Sequence, residues 1–183
     1  MTPRWDYLIA PHGQEYNNTK KIADVDLIVN TSIEDAGFVN RLGIVCAVPN
    51  GGLIPQGSIV VLHHNVFRTY LDMRGQKRKS NEYFRDEKYL VSSSKIYMYN
   101  DGSGWKANQG YCFVSPVKYL QDGDLYRSDK KEEEHVGIIK HIAHPSLNEG
   151  DKVGFTKNSE YEFEIDGEKL YRMTHNDLCL KFN

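Results

Sequence analysis

The sequence has no apolar run approaching the roughly 18 residues that a membrane-crossing helix needs, and Met1-Thr2-Pro3-Arg4-Trp5-Asp6 carries no signal-peptide core. It has little excess charge. Lys and Arg number 23 against 25 Asp and Glu, a net −2 over 183 residues. Neither nucleic acid nor a membrane surface is therefore expected as a partner. Cysteine is scarce. Cys46, Cys112 and Cys179 are odd in number, lack metal-ligand spacing and each sit in an apolar run. Buried, reduced thiols and a reducing, cytoplasmic setting are expected.

Motifs of catalysis are lacking as well. The chain has no phosphate-binding loop, no Gly-x-Ser-x-Gly elbow, no His-Glu-x-x-His and no dinucleotide fingerprint. His63 and His64, read as strand neighbours, would point to opposite faces and could not share a metal easily. His141 and His144 lack a carboxylate or cysteine at helpful spacing. The expectation is a protein that is not an enzyme and needs no cofactor or metal.

What the sequence does have is short apolar runs broken by Gly, Pro, Asn and Asp. Tyr7–Ala10, Gly43–Val48, Ser58–Leu62, Tyr89–Val91 and Ile96–Tyr99 precede Tyr111–Val114, Val136–Ile139, Lys152–Phe155 and Leu178–Leu180. These are strand lengths, rich in β-branched and aromatic residues. Tyrosine, twelve against seven Phe and two Trp, suits half-buried strand positions. No stretch sustains a helical period, so an all-β sandwich or barrel is predicted.

The runs recur in order. Pro11 ends a first strand in one half and Pro116 in the other. Gly43 and Gly57 match Gly137 and Gly150, with spacings that differ by one residue. An acidic turn and a tyrosine-bearing strand follow: Asp86-Glu87-Lys88-Tyr89 and Asp166-Gly167-Glu168-Lys169-Leu170-Tyr171. Asn100-Asp101-Gly102-Ser103-Gly104 lies between the halves as a polar, glycine-rich joint. This predicts two units, 1–104 and 105–183, from an internal repeat.

The second half resembles the chaperonin-10 family, the GroES-type co-chaperonins. Four pieces within a stretch of about 45 residues carry the likeness in family order. They are Val136-Gly137-Ile138-Ile139, Glu149-Gly150-Asp151-Lys152-Val153-Gly154-Phe155, Asp166-Gly167-Glu168-Lys169-Leu170-Tyr171-Arg172-Met173 and Thr174-His175-Asn176-Asp177-Leu178-Cys179-Leu180. The first half looks like a more diverged copy. The resemblance implies two tandem GroES-like, partly open β-barrels that assemble as a ring-like homo-oligomer. It also implies a co-chaperonin that caps a large GroEL-type chaperonin in its nucleotide-bound state and hydrolyses nothing itself.

In that family a loop between the first two strands docks through an apolar tripeptide. The segment 14–37 is polar apart from Leu27-Ile28-Val29, which the resemblance makes the chaperonin-binding residues. Val25–Val29 could equally be a strand of the barrel. The corresponding segment 119–134 ends in Lys130-Lys131-Glu132-Glu133-Glu134 and has no such triplet. Pro49–Ile54 and His144–Leu147 are too short for the family's roofing hairpin. The first half instead carries an insertion, 63–85, with a basic stretch 74–79 that reads as a solvated hairpin tip. These departures leave a rival: a structural or assembly protein, such as a viral particle part, on the same fold without chaperonin binding.

Overall fold

Side chains alternate across a strand, and several of the short apolar runs are buried at successive residues, on both faces. In β1 (Tyr7–Pro11), Tyr7, Leu8 and Ile9 are buried before the strand runs out toward Pro11. The computed structural model describes residues 2–16, 19–22, 25–28, 36–118 and 132–182, and for 19–22, 25–28 and 36 the backbone alone. Among these residues there is no α-helix, only 3-10 turns between antiparallel strands. Among the described residues no helix is long and apolar enough to cross a membrane. The chain divides into two compact units, Met1–Trp105 and Lys106–Asn183.

In the first unit β1 is followed by β2 (Thr19–Ile22), β3 (Val25–Ile28), β4 (Leu42–Ala47) and β5 (Ile59–Leu62). Then come β6 (Thr69–Leu71), β7 (Lys77–Lys79), β8 (Tyr83–Arg85), β9 (Lys88–Val91), β10 (Ile96–Asn100) and β11 (Trp105–Ala107), within which the unit boundary falls. Seven of them form one sheet in the order β11-β10-β5-β4-β1-β9-β8. The pairs β2–β3 and β6–β7 are separate two-stranded sheets.

The second unit consists of β12 (Tyr111–Lys118), β13 (Glu132–Ile142), β14 (Lys152–Phe155), β15 (Tyr161–Ile165), β16 (Glu168–Thr174) and β17 (Leu178–Lys181). Its sheet order is β15-β16-β12-β13-β14-β17. Read backwards, this is the order β10-β5-β4-β1-β9-β8 of the first unit, visited by the chain in the same sequence. Neither sheet closes into a barrel.

The likeness extends to single residues. A bulge interrupts β1–β4 between Leu8 and Ile9, and another interrupts β12–β13 between Phe113 and Val114. Beyond the bulge Pro11 pairs with Gly43, and Pro116 with Gly137. Gly57 N–H donates to Val45 O at 2.8 Å, and Gly150 N–H to Ile139 O at 2.8 Å. Both of these glycines have φ near +90°, at 86° and 91°, where an L side chain is strained. The cores correspond in the same way: Ile9, Val45, Val60 and Leu62 are buried in one, Val114, Ile139, Val153 and Phe155 in the other. Burying each such side chain contributes roughly 1.5–3 kcal/mol.

The thiols depart from expectation. Cys112 is buried, with its pKa pushed up by burial to about 12, but Cys46 is half-buried and Cys179 exposed. Cys46 lies in β4, where Gly43 and Val45 are buried and the residues between and beyond them are not, and Cys179 lies in the edge strand β17, whose last three residues are exposed.

Candidate functional site

The candidate site is the root of the 14–37 segment, and it is built from residues scattered along the first unit. Asn40 closes the root. Its side-chain Nδ2 donates to His12 O at 3.0 Å and Gln14 O at 2.7 Å, and its Oδ1 accepts from Leu42 N–H at 2.9 Å. Asn40 N–H donates to Glu15 O at 2.8 Å, and Tyr16 bridges to Val39. Asn40 is 4% exposed, so these bonds satisfy an amide that would otherwise be buried without partners.

Beside the root, Glu15 Oε1 accepts from Lys79 Nζ at 2.6 Å and from the Tyr89 hydroxyl at 2.5 Å. Lys79 also donates to Glu87 Oε2 at 2.5 Å. Burial works to raise the Glu15 carboxyl, but the bonds from Lys79 and Tyr89 outweigh it and hold it below the usual carboxylate range. Burial lowers the Lys79 ammonium, and its two carboxylate partners more than reverse that. Burial and the Glu15 carboxylate together raise the Tyr89 phenol. All three shifts describe an ionised Glu15–Lys79 pair with a neutral tyrosine donating to it. Tyr16 adds a further tie: its hydroxyl accepts from Thr69 N–H at 2.7 Å and donates to Thr69 O at 3.3 Å.

The second unit repeats the motif with different parts. Tyr171 faces Val114 as Tyr89 faces Ile9, and its hydroxyl donates to Glu132 Oε2 at 2.6 Å. Lys169 Nζ lies 3.1 Å from Glu132 Oε1. The Tyr171 bond, followed by Lys169, lowers the Glu132 carboxyl. Here the glutamate comes from the start of β13 and the lysine from β16 itself, whereas in the first unit the lysine comes from β7.

Of the chaperonin-binding residues expected from the resemblance, Leu27 and Ile28 lie in β3, where their backbones pair with Lys20 and Thr19 of β2. Val29 lies outside the described residues. β3 belongs to a two-stranded sheet with β2, separate from the seven-stranded one. The basic stretch 74–79 enters a turn at Arg74-Gly75-Gln76 and continues into β7. Asp72 organises that turn: its Oδ1 accepts from Arg74 N–H and Gln76 N–H at 2.9 Å each.

The histidines are arranged otherwise than the sequence suggested. His63 and His64 follow the end of β5 at Leu62, so strand alternation does not apply, and their rings stack at 4.2 Å. His141 Nδ1 lies 3.5 Å from a carboxylate, Glu149 Oε1, while His144 meets the ring of His175 edge-on. Among the described residues no group of three or more His, Cys, Asp or Glu could hold a metal ion.

Sequence reasoning missed Glu15, Tyr16, Lys79 and Tyr89 as a cluster, because the pairs meet across 53 to 74 residues. Asn40 had a local signal, since an Asn two residues before a strand can bond its own backbone. The chain matches no protein-family model and no curated protein.

Proposed function

We propose that the chain is a tandem co-chaperonin built on two GroES-like, partly open barrels. It acts in the cytoplasm as a ring-like homo-oligomer and caps a large GroEL-type chaperonin in its nucleotide-bound state. Leu27, Ile28 and Val29 make the contact. It performs no chemistry of its own; its effect is preferential binding to one state of an ATP-driven partner. The observation that supports this most is the β2–β3 pair, which carries Leu27 and Ile28 outside the main sheet while Asn40 and Glu15 hold its root. The four pieces that resemble the family coincide with β13, β14, β16 and β17.

Burying three large apolar residues supplies several kcal/mol at roughly 1.5–3 kcal/mol each, reduced by the ordering of the segment and multiplied around a ring. The test is capture of the chain by a GroEL-type chaperonin with ATP or ADP present. Ile28→Asp is expected to abolish capture and to leave both sheets folded by circular dichroism. Equal capture of the two chains would reject the proposal. The rival structural reading draws on exposed Leu180 and Phe182 at the open β17 edge; it predicts assembly without any chaperonin capture.

A further inference from the structure

Besides the six strands it shares with the second, the described part of the first unit carries the β2–β3 pair, the β6–β7 hairpin and β11. In the second unit only Thr156–Glu160 stand between β14 and β15, where β6–β7 would fall. The hairpin is therefore not needed to build this kind of sheet. Its position suggests a use. Both of its strands reach the root of the 14–37 segment, β6 through Thr69 to the Tyr16 hydroxyl and β7 through Lys79 to the Glu15 carboxylate.

The hairpin itself is firmly made. Its strands pair through Thr69–Lys79, Tyr70–Arg78 and Leu71–Lys77. Its turn is closed by Asp72, which accepts two backbone N–H groups and the Arg78 Nε at 3.0 Å. Ser80 Oγ ties the far end of the hairpin to Val66 O at 2.6 Å, and Thr69 is fully buried. The hairpin thus ties down the residues at the start of the segment, Glu15 and Tyr16.

We infer that the β6–β7 hairpin is a splint for the candidate binding segment, with Tyr16, Glu15 and Lys79 as positioning residues that fix where and in which direction the segment leaves the sheet. This rests on the co-chaperonin reading and adds to it a role for the insertion. A binding element on a loose tether must be ordered when it docks, and that entropy is taken from its affinity. Every root residue fixed beforehand is one that need not be ordered later. The second unit ties its glutamate with Lys169 of its own β16 and does without a hairpin. In the first unit the cation comes from the insertion, so insertion and segment are coupled.

The test uses the full chain carrying Tyr16→Phe together with Lys79→Met. Neither residue lies in the apolar triplet. Hydrogen exchange at Tyr16, Val39 and Asn40 is expected to speed up at least tenfold while exchange in β4 and β5 stays unchanged. Affinity for a GroEL-type chaperonin with ADP is expected to fall about tenfold, the order that pre-organisation of a few residues provides. Lys79→Arg, which keeps the cation, is expected to restore most of it. If the double variant binds as tightly as the unaltered chain while Ile28→Asp does not bind, the splint is rejected and the co-chaperonin reading survives. If exchange rises equally in β4 and β5, the contacts only stabilise the sheet and the splint is again rejected. If the unaltered chain is not captured at all, the reading and the splint fall together.

Discussion

At the scale of single residues, one glycine in each unit, Gly43 and Gly137, holds the close approach of the first two main-sheet strands. A Cβ added at Gly43 would stand 2.5 Å from Ile9 Cγ2 and 3.2 Å from Ala10 O; one at Gly137 would stand 2.8 Å from Val114 Cγ2 and 3.1 Å from Ser115 O. The carbonyls cannot swing away without breaking the sheet. Gly43→Ala and Gly137→Ala should each cost about 1–3 kcal/mol through overpacking, more than the roughly 0.4–1 kcal/mol that losing a glycine returns. Gly43 should show the larger loss in urea unfolding. His64 gives a pH dependence. Burial, then the charges of His63, Arg41 and Arg68, pushes its pKa down to about 4 from 6.5. A base whose folded pKa is depressed takes up its proton in the unfolded chain first. The stability it allows is complete above pH 6.5 and is lost as pH falls from 6.5 toward 4. His175, lowered chiefly by burial, acts in the same direction in the second unit. Carboxylates with an ordinary value of 4.5 enter only below that value. The unfolding midpoint should therefore drop between pH 6.5 and 5, and His64→Gln should shallow that drop.

At the scale of elements, the hairpins β8–β9 and β15–β16 turn through the same left-handed geometry. Asp86 and Glu87 have φ of 51° and 52°; Asp166 and Gly167 have 52° and 79°. An L residue there costs about 1–2 kcal/mol. Gly167→Glu should be destabilising by that amount, for no neighbour lies within 4 Å to clash with or to compensate. Glu87→Gly should be close to neutral. The relief of strain is offset by the loss of a largely exposed ion pair to Lys79, about 0.2–1 kcal/mol, and by the roughly 0.5–1 kcal/mol entropic cost of glycine. Thermal unfolding of the two variants checks the contrast. These turns were readable from Asp86-Glu87 and Asp166-Gly167, as were most strands with a dense apolar run. The strands that escaped were β2, β8, β11 and β15, while β6 and β7 lie within the 63–85 insertion read as a hairpin. The escaped strands are short or polar, such as Thr19-Lys20-Lys21-Ile22, and exist because a partner strand pairs with them. The site escaped for a related reason: nothing near Glu15 in the sequence announces Lys79 or Tyr89, and only folding brings the three together.

At the scale of the whole molecule, both sheets end in edge strands with no partner strand among the described residues, and the second leaves Leu180 and Phe182 exposed at 62% and 44%. Open edges with apolar side chains invite pairing with another chain. If the proposed ring uses the β17 edge, Leu180→Asp with Phe182→Asp should lower the mass seen by static light scattering toward that of a single chain, and an unchanged mass would exclude that edge. The hairpin insertion, present between β5 and β8 but not between β14 and β15, sets the symmetry of any such ring. A closed assembly of n chains contains 2n copies of the six-stranded unit yet only n-fold rotational symmetry, since alternate copies are not alike. If the proposed ring and splint hold, the splinted segments number n, and the proposed capping would be counted in chains and not in sheets.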